Sequence, residues 1–274
     1  MTLLNVDSEK CIRDGACLAV CPASIIEFKE EGSIPSLISG GEEICIACGH
    51  CMAVCPEGAM AHEKMKPEDC PVVREDWHVG AEQMAHLLRS RRSIRVYKNK
   101  PVERKLLEEL IDMARYAPSG HNLQPVNWLV IEDGREVQHL AGHIADWMKS
   151  LIEQGSPLVA MLHLDRVVSA WHEGKDRICR NAPHVIVAHA PKYGDITSAV
   201  CTIALTYLEL AAPSLGLGAC WAGFFTAAAN LWPPMQKALG LPEGHLPFGA
   251  MMIGWPMYSY RRLPVRNPAR VTWR

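Results

Sequence analysis

The sequence of 274 residues predicts an α+β protein built in two parts, a small cysteine-rich domain followed by a larger domain with one central sheet. Eight of the eleven cysteines fall within the first 70 residues. From residue 80 onwards, apolar residues at helical spacing alternate with short apolar runs typical of strands. Hydrophobic residues make up 49% of the chain, which is enough for a sizeable core. These observations predict one domain at residues 1–70, a linker at 71–79 and a second domain at 80–274.

The two predicted domains carry opposite net charge. Residues 1–70 contain 12 acidic and 5 basic side chains, whereas residues 71–274 contain 18 acidic and 23 basic ones. This distribution suits electron-transfer docking on the first domain and an anionic cofactor in the second. It does not indicate a nucleic-acid binder.

The cysteine pattern and the apolar stretches predict where in the cell the protein is found. Cysteines in C-x2-C units within so long a chain are not typical of a disulfide scaffold, and no apolar signal segment precedes them. The longest apolar tract, Ala199 to Ala229, is interrupted by Glu209, Pro213 and two glycines, which favours a buried helix and a turn over a membrane span. We expect a protein of the reducing cytoplasm with no membrane span.

The elements of the first domain are predicted to be short. Alternating polar and apolar residues at 2–10 predict a strand, and Ile25–Phe28 and Ile34–Leu37 predict a hairpin around a charged turn. Downstream of the cysteine runs, Pro67 and Pro71 exclude a long helix and indicate the linker.

The second domain is predicted to mix helices with the strands of one sheet. Helical spacing of apolar residues predicts amphipathic helices at 80–89 and 102–115. The remaining predicted elements are strands at Trp128–Glu132, Val185–His189 and Ala250–Gly254 and helices at 136–152, 160–172, 195–212 and 233–239.

The stretch CIACGHCMAVCP at 45–56 spaces its thiols as C-x2-C-x2-C-x3-C-P, the run with which bacterial two-cluster ferredoxins hold iron–sulfur clusters. In that arrangement the fourth cysteine ligates the neighbouring cluster. An upstream run, CIRDGACLAVCP at 11–22, has the same spacing with Asp14 in place of the second cysteine. Two clusters of unequal ligation are therefore predicted.

The crossed ligand rule assigns the predicted ligands to two sites. A 4Fe–4S cluster is assigned to Cys21, Cys45, Cys48 and Cys51, and the second cluster to Cys11, Cys17 and Cys55. The fourth iron of the second cluster is ligated by the Asp14 carboxylate or by water or hydroxide, or it is absent, which leaves a 3Fe–4S cluster.

Zinc is the competing hypothesis for these cysteines, because paired C-x2-C units also bind zinc. A closed zinc site needs only four ligands, so the C-x3-C-P ends would be superfluous. The spacing therefore favours iron–sulfur clusters. Cys70 lies outside both runs and is predicted to be an unligated thiol.

A second group of polar residues follows the first helix of the large domain. Arg91, Arg92, Ser93 and Arg95 supply three guanidinium groups and a hydroxyl within five residues. Such a group can hold a phosphate by forked, charge-assisted hydrogen bonds. Taken alone, the run is more commonly a solvated surface turn.

From about residue 80 to the end, the chain resembles the nitroreductase family of flavin mononucleotide (FMN) enzymes. The resemblance rests on RRSIR at 91–95, APSGHNLQP at 117–125, GWP at 254–256 and RRLP at 261–264, which occur in the family's order. It implies an α+β sandwich that forms a homodimer, with each FMN bound at the interface by residues of both chains.

The resemblance also implies roles for individual residues. Arg91, Arg92, Ser93 and Arg95 would bind the flavin phosphate and ribityl chain, with Arg262 closing the phosphate site and with Pro118 and Ser119 supplied by the other subunit. Asn122 and Gln124 would lie near the isoalloxazine, although Gln124 is equally well explained as a structural turn residue. In LGLGACWAG at 215–223, a backbone N–H of Ala222 or Gly223 would contact flavin N5 and Trp221 would lie beside the ring.

The second domain lacks a dinucleotide-binding fingerprint and departs from the family pattern at two places. A dinucleotide fingerprint at Gly216 and Gly218 is rejected, because position 221 is Trp and the segment follows a predicted helix. Many family members have Trp directly after the Gln-Pro pair, whereas Val126 and Asn127 intervene here. The segment at 142–180 has a pattern of its own that could recognise substrate: His163, Trp171, His172, Asp176, Arg177 and Cys179.

The two predicted domains together suggest an electron path. Reduced ferredoxin, or another low-potential donor, would pass electrons through the clusters to FMN and on to a small organic acceptor such as a nitroaromatic, quinone or unsaturated or halogenated ring. No catalytic residue is identified; His121, His172 and Trp221 are weak candidates, and solvent is an equally adequate proton source. The competing hypotheses are an electron-transfer adaptor for a protein partner and a redox sensor based on the Asp14 cluster.

Overall fold

A computed structural model describes residues 2–194 and 196–274. The chain divides into two compact units. The small unit consists of residues 2–78 together with Ser119–Leu123, and the large unit of Val79–Pro118 and Gln124–Arg274. A short segment from the middle of the chain is therefore part of the small unit.

The small unit is built on two antiparallel strand pairs. Its strands are β1 (Leu4–Val6), β2 (Ile26–Glu27), β3 (Ser36–Leu37) and β4 (Met60–His62). β1 pairs with β4 so that Leu4 lies opposite His62, and β2 pairs with β3. One-turn helices accompany the cysteine loops: α1 (Ala16–Ala19), α2 (Gly41–Ile44) and α3 (His50–Ala53). The structure thus adds β4, which the sequence pattern did not predict, as the partner of β1.

The backbone of the small unit repeats at the offset of 34 residues that separates Cys11 from Cys45. Gly15 and Gly49 have left-handed φ angles of 74° and 75° and directly precede α1 and α3, so each helix begins at the same point of its cysteine loop. Glycine tolerates this conformation because it lacks a Cβ. Two further pairs with positive φ follow the same offset: Arg13 with Ala47 and Ser24 with Gly58. The cysteine runs are therefore two copies of one local structure.

The large unit contains a four-stranded antiparallel sheet with the order β5-β6-β8-β7. The strands are β5 (Asn127–Ile131), β6 (His184–Pro191), β7 (Gly218–Trp221) and β8 (His245–Gly254). The central strand β6 has the sequence HVIVAHAP and is buried along nearly its whole length. A strand with apolar residues on both faces requires a cover on each side.

Helices supply that cover. They are α4 (Ala81–Ser90), α5 (Arg104–Ala114), α6 (Gly134–Glu153), α7 (Leu158–Leu162), α8 (Leu164–His172), α9 (Ile196–Ala211), α10 (Gly223–Leu231) and α11 (Pro233–Leu239). On one face of the sheet, Ile144 and Phe225 belong to a core formed with α6, α8, α10 and α11. On the other face, Leu107 and Leu205 belong to a core formed with α5 and α9. The predicted α+β class is confirmed.

Some elements differ from their predictions. The predicted helix at 160–172 is two helices, because His163 has a left-handed φ of 51° and ends α7 before α8 begins. The run at 215–223, which the resemblance places near the flavin, contains β7, and α10 begins at its last residue. The predicted helix at 195–212 corresponds to α9, with its first position, 195, outside the described residues.

One helix in the described part of the chain, Ile196–Leu215, is long and apolar enough to cross a membrane by length and composition. It consists of α9 and the 3-10 turn that follows it. Leu205 and Leu208 of this helix are fully buried beneath the sheet. Packing in the core of the large unit therefore accounts for its apolar composition.

Candidate functional site

Four thiols line one cavity of the small unit: Cys21, Cys45, Cys48 and Cys51. Burial, together with the negative charge of the other three thiolates, raises the pKa of Cys51 to about 11. Thiolates that oppose one another's ionisation in this way are stabilised by a cationic centre between them. The donor set fits an iron–sulfur cluster.

The other copy of the repeat forms a second cavity, lined by Cys11, Asp14, Cys17 and Cys55. Burial raises the pKa of Cys17, and the charges of Asp14 and Cys11 act in the same direction against backbone N–H groups that lower it. Asp14 Oδ1 accepts the Ala16 N–H at 3.1 Å at the start of α1. Its other carboxylate oxygen has no hydrogen bond within the described ranges, so it is available to a metal centre.

The geometry of these two cavities can be compared with that of a zinc site. A single metal ion needs three or four ligand atoms converging on one point. In the part of the chain that the structure describes, no three His, Cys, Asp or Glu side chains converge closely enough to hold one ion. Thiols that line a common cavity without converging on one point suit a larger, polynuclear centre.

The large unit has a polar cavity lined by Arg91 and Arg92, by 216–219 and by 258–260. Arg91 Nη1 donates to Glu209 Oε1 at 2.7 Å, and Trp221 Nε1 donates to Glu209 Oε2 at 3.2 Å. The Glu209 side chain is only 9% exposed. The cation of Arg91 is therefore already balanced, whereas Arg92 forms no salt bridge with another described residue and leaves the cavity positively charged.

A second cavity of the large unit combines cations with aromatic walls. Its lining includes Arg95, Arg177, Arg180, Trp147, Trp221 and Phe224, and no acidic side chain belongs to it. Arg95 and Arg180 both lower the pKa of Tyr97 and of Cys220 against the dominant effect of burial, so their charges converge on the same region. Neither Arg177 nor Arg180 forms a salt bridge or side-chain hydrogen bond within residues 2–194 and 196–274. The arrangement can accept an anion beside a flat ring.

The loop that carries these arginines is held by one carboxylate. Asp176 accepts four hydrogen bonds at 2.8 Å, from the backbone N–H groups of Ile178, Cys179 and Asn181 and from Gln138 Nε2. Arg180 and Asn181 adopt consecutive left-handed φ angles of 59° and 52°. Such angles cost about 1 kcal/mol or more for residues with a Cβ and persist where the surroundings enforce them. The loop therefore fixes the direction of Arg180.

Gly223 lies in the wall of the same cavity as the first residue of α10, where a backbone N–H has no partner within its own helix. A Cβ built on Gly223 would meet no atom within 4 Å. The preceding N–H, that of Ala222, is instead used by Ala250 O at 2.8 Å. Of the two N–H groups expected at a flavin N5, only the one on Gly223 is free to contact a ligand.

Gly218 of β7 lies against the side chain of Ile94. A Cβ on Gly218 would lie 2.6 Å from Ile94 Cγ1. Gly218 therefore permits close packing of β7 against Ile94.

Asn122 lies in the small unit. Its Nδ2 donates to Ile46 O at 3.2 Å and to Ala47 O at 2.9 Å, so it binds the loop between Cys45 and Cys48. The position beside an isoalloxazine that the family resemblance implied for Asn122 stays a prediction. His121, Asn122 and Gln124 all have left-handed φ angles, of 51°, 52° and 46°, which mark this segment as conformationally constrained.

Several predicted residues do not line either described cavity of the large unit. Ser93 is half-buried, Pro118 is exposed and Ser119 is half-buried. Arg262 is exposed in the segment after β8, His121 is exposed and His172 is exposed in the last turn of α8. Glu209 and Arg180 line these cavities although the sequence pattern did not indicate them as site residues. The available signal for Glu209 was a lone carboxylate within the apolar α9.

Known protein families match both parts of the chain. The sequence profile of the nitroreductase family matches residues 88–255, and that of the 4Fe-4S dicluster domain matches residues 10–59. An NADH dehydrogenase of Thermus thermophilus is 30% identical over 67% of this chain and 92% of its own length. A CR(VI) reductase of a Pseudomonas species is 28% identical over 65% of this chain and 70% of its own length.

A solved structure gives the corresponding result for the fold. A nitroreductase with bound FMN from Bacteroides fragilis superposes with a TM-score of 0.60 at 19% identity. The match covers 70% of this chain and 99% of that one. The large unit therefore has the fold of that enzyme.

Proposed function

Because this chain belongs to the nitroreductase family and carries an N-terminal 4Fe–4S dicluster domain, we propose that it passes electrons from a low-potential donor through two iron–sulfur clusters to FMN and on to a small organic acceptor. The chain is a nitroreductase-like oxidoreductase of that family. The observation that carries the finer proposal is that one chain combines two thiol-lined cavities with a cationic, aromatic cavity that suits a flavin ring.

In the small unit, Cys21, Cys45, Cys48 and Cys51 hold a 4Fe–4S cluster. The second cluster takes Cys11, Cys17 and Cys55. Its fourth position is the free oxygen of Asp14, or it carries no iron, as in a 3Fe–4S cluster. A hard carboxylate ligand binds iron more weakly than a thiolate and makes the two clusters unequal in potential.

In the large unit, bound FMN would supply a two-electron store that single-electron donors can fill stepwise. Arg92 holds the phosphate by forked hydrogen bonds, with Arg91 oriented beside it by Glu209. The Gly223 N–H would contact N5, and Arg95 would balance negative charge on the ring. Trp221 packs beside the ring, with its indole N–H fixed by Glu209.

A homodimer completes the site in this proposal, with Pro118, Ser119 and Arg262 contributed at the interface. Exposed apolar side chains after β8 support it, because Tyr258, Val265 and Trp273 are 69%, 94% and 89% exposed in the isolated chain. A second copy would cover such a surface.

The acceptor is an aromatic or unsaturated ring that carries a negative charge, such as a ring carboxylate or a nitro-substituted acid. Arg177 and Arg180 supply two unpaired cations at the cavity, and Trp147 and Phe224 supply flat apolar walls. Arg177 is exposed, whereas Arg180 is half-buried, and a half-buried cation without a partner is most stable when an anion binds it. Proton delivery comes from solvent, since His121 and His172 do not line the cavity.

The donor is reduced ferredoxin or a similar one-electron protein of the cytoplasm. Single electrons suit the clusters, which cannot take up a hydride. The competing donor is NAD(P)H, since the Thermus relative is an NADH dehydrogenase. The redox sensor remains the second candidate function, because Asp14 is exposed and offers a ligand that iron can leave.

Anaerobic purification followed by turnover tests the proposed function. We expect about seven or eight irons and about eight sulfides per chain, one FMN per chain, and reduction of a nitrobenzoate by reduced ferredoxin. The variant Arg92→Ala with Arg262→Ala is expected to lose FMN and keep its clusters, whereas the exposed Arg135→Ala should keep both. Zinc without sulfide would refute the clusters, and full flavin occupancy in the double variant would refute the phosphate contacts.

A further inference from the structure

We propose that His62 donates an N–H···S hydrogen bond to Cys45 and thereby raises the reduction potential of the cluster held by Cys21, Cys45, Cys48 and Cys51. This inference rests on the proposed function, because it requires clusters in both cavities. In this proposal His62, which lies outside the cysteine motif, tunes the potential of one cluster.

The position of His62 is fixed by its strand. It is the last residue of β4, opposite Leu4 of β1. Its backbone N–H donates to Met65 O at 2.9 Å, and the Met65 N–H donates back to His62 O at 2.9 Å. The side chain is buried, with 5% of the residue exposed, and it lines the same cavity as the four thiols.

The hydrogen bonds of the ring determine which nitrogen carries the proton. The Lys64 backbone N–H lies 3.0 Å from His62 Nδ1. A backbone N–H can only donate, so Nδ1 is the acceptor and the proton of the neutral ring is on Nε2. Nε2 lies 3.9 Å from Cys45 Sγ. The donor atom of the ring is therefore the one that faces the cluster ligand.

A donor at this place affects the two redox states unequally. Reduction adds negative charge to the cluster and its thiolates, so an N–H directed at Cys45 Sγ stabilises the reduced state more than the oxidised one. The stabilisation raises the potential. It acts in a buried environment, where water screens the dipole less than it would at the surface.

The internal repeat offers a comparison within the chain. At the offset of 34 residues, His62 corresponds to Phe28 in the other copy, next to β2. Phe28 has no hydrogen-bond donor in its side chain. The two copies therefore differ at this position in the presence of a side-chain N–H, so this contribution to the potential is expected only at the Cys45-side cluster.

The test is an anaerobic redox titration of the purified holoprotein, in which electron paramagnetic resonance follows each cluster separately. His62→Phe places the residue of the other copy at this site. We expect the ratio of reduced to oxidised Cys45-side cluster at a fixed potential to fall about tenfold, which is about 59 mV for a one-electron couple. The other cluster should keep its potential, and His62→Gln, which retains an N–H donor, should recover part of the shift.

The control is His50→Phe. His50 lines the same cavity but makes no side-chain hydrogen bond to a thiol among the described residues, so its loss should shift the potential less than His62→Phe does. Equal shifts in both clusters would show general loosening and refute the proposal. So would an unchanged potential in His62→Phe, or a shift in His62→Gln as large as that in His62→Phe.

A second measurement uses the unmutated protein and covers the case in which His62→Phe fails to take up iron. Pulsed electron paramagnetic resonance of histidine-¹⁵N-labelled protein should show a nitrogen coupled to the reduced Cys45-side cluster. The His50→Phe variant should retain this coupling. Absence of that coupling would refute the proposal. A protein that contains no iron–sulfur clusters would refute the proposed function itself, whereas clusters without this coupling refute only the role of His62.

Discussion

Replacing Glu209 with alanine is expected to destabilise the large unit and to weaken its flavin site together. The Glu209 carboxylate accepts from Arg91 Nη1 at 2.7 Å and from Trp221 Nε1 at 3.2 Å. These two partners lie in the two cavities assigned to the phosphate and the ring. One carboxylate therefore positions both ends of the proposed site.

The size of the effect follows from what the substitution leaves without a partner. Removing one member of a fully buried ion pair costs about 3–5 kcal/mol. The Arg91 side chain is 25% exposed, so water compensates part of that cost and about 2 kcal/mol is expected for the cation. The Trp221 N–H adds about 1 kcal/mol. A total of about 3 kcal/mol lowers the melting temperature of a unit of this size by about 6–12 °C.

Thermal unfolding, a double-mutant cycle and flavin binding measure this prediction. Arg91→Ala with Glu209→Ala should be less destabilised than the sum of the single variants by about 1–2 kcal/mol, because removing both charges leaves no unpaired ion. Glu209→Gln should retain the Trp221 contact and fall between wild type and Glu209→Ala. The control Arg135→Ala breaks an exposed pair and should cost less than about 1 kcal/mol. Additive single effects, or unchanged flavin affinity in Glu209→Ala, would refute the reasoning.

Three further predictions address other parts of the molecule. Asp14→Cys should convert the second cluster into an all-thiolate 4Fe–4S cluster with a changed potential, and an unaltered paramagnetic signal would show that Asp14 is not near an iron. Gly223→Ala should preserve the melting temperature but weaken FMN binding, since its Cβ enters open space. Gly218→Ala should instead lower the free energy of unfolding by about 1–3 kcal/mol, because its Cβ would clash with Ile94. The reverse order would contradict the roles assigned to the two glycines. His184 is buried, and its Nε2 accepts the Val102 N–H at 2.7 Å. Burial holds the pKa of His184 below the usual 6.5. The unfolded chain therefore takes up the proton first, and the unfolding free energy should fall as the pH drops below about 6.5, less steeply in His184→Gln; equal slopes would exclude His184 as the cause.

The features that the sequence predicted best are local ones. The cysteine loops close over a few residues, so their spacing determines which side chains come together, and the repeat of Cys11 and Cys45 indicated two equivalent loops. Long amphipathic helices such as α5 and α6 were also predicted within a few residues of their observed ends. In these segments the apolar period is strong and the neighbours in space are neighbours in sequence.

Features that depend on distant contacts could not be predicted in this way. Arg91 and Glu209 are 118 positions apart, so nothing in the RRSIR run indicates that one arginine is already paired. The N–H of Ala222 is used by Ala250 of a neighbouring strand, which local sequence does not reveal. β7 and α10 lie in a tract of small apolar residues whose period distinguishes neither strand nor helix, and the close approach of Ile94 to Gly218 is not visible in the local sequence.

The most direct test of the proposed electron path is anaerobic stopped-flow mixing of the oxidised holoprotein with reduced ferredoxin and, separately, with NADH. With ferredoxin, we expect the cluster absorbance to bleach first and the flavin absorbance to follow at a rate independent of protein concentration, because that step occurs within one assembly. NADH should bleach the flavin more slowly. Rapid flavin bleaching by NADH while both clusters stay oxidised would refute the proposed path.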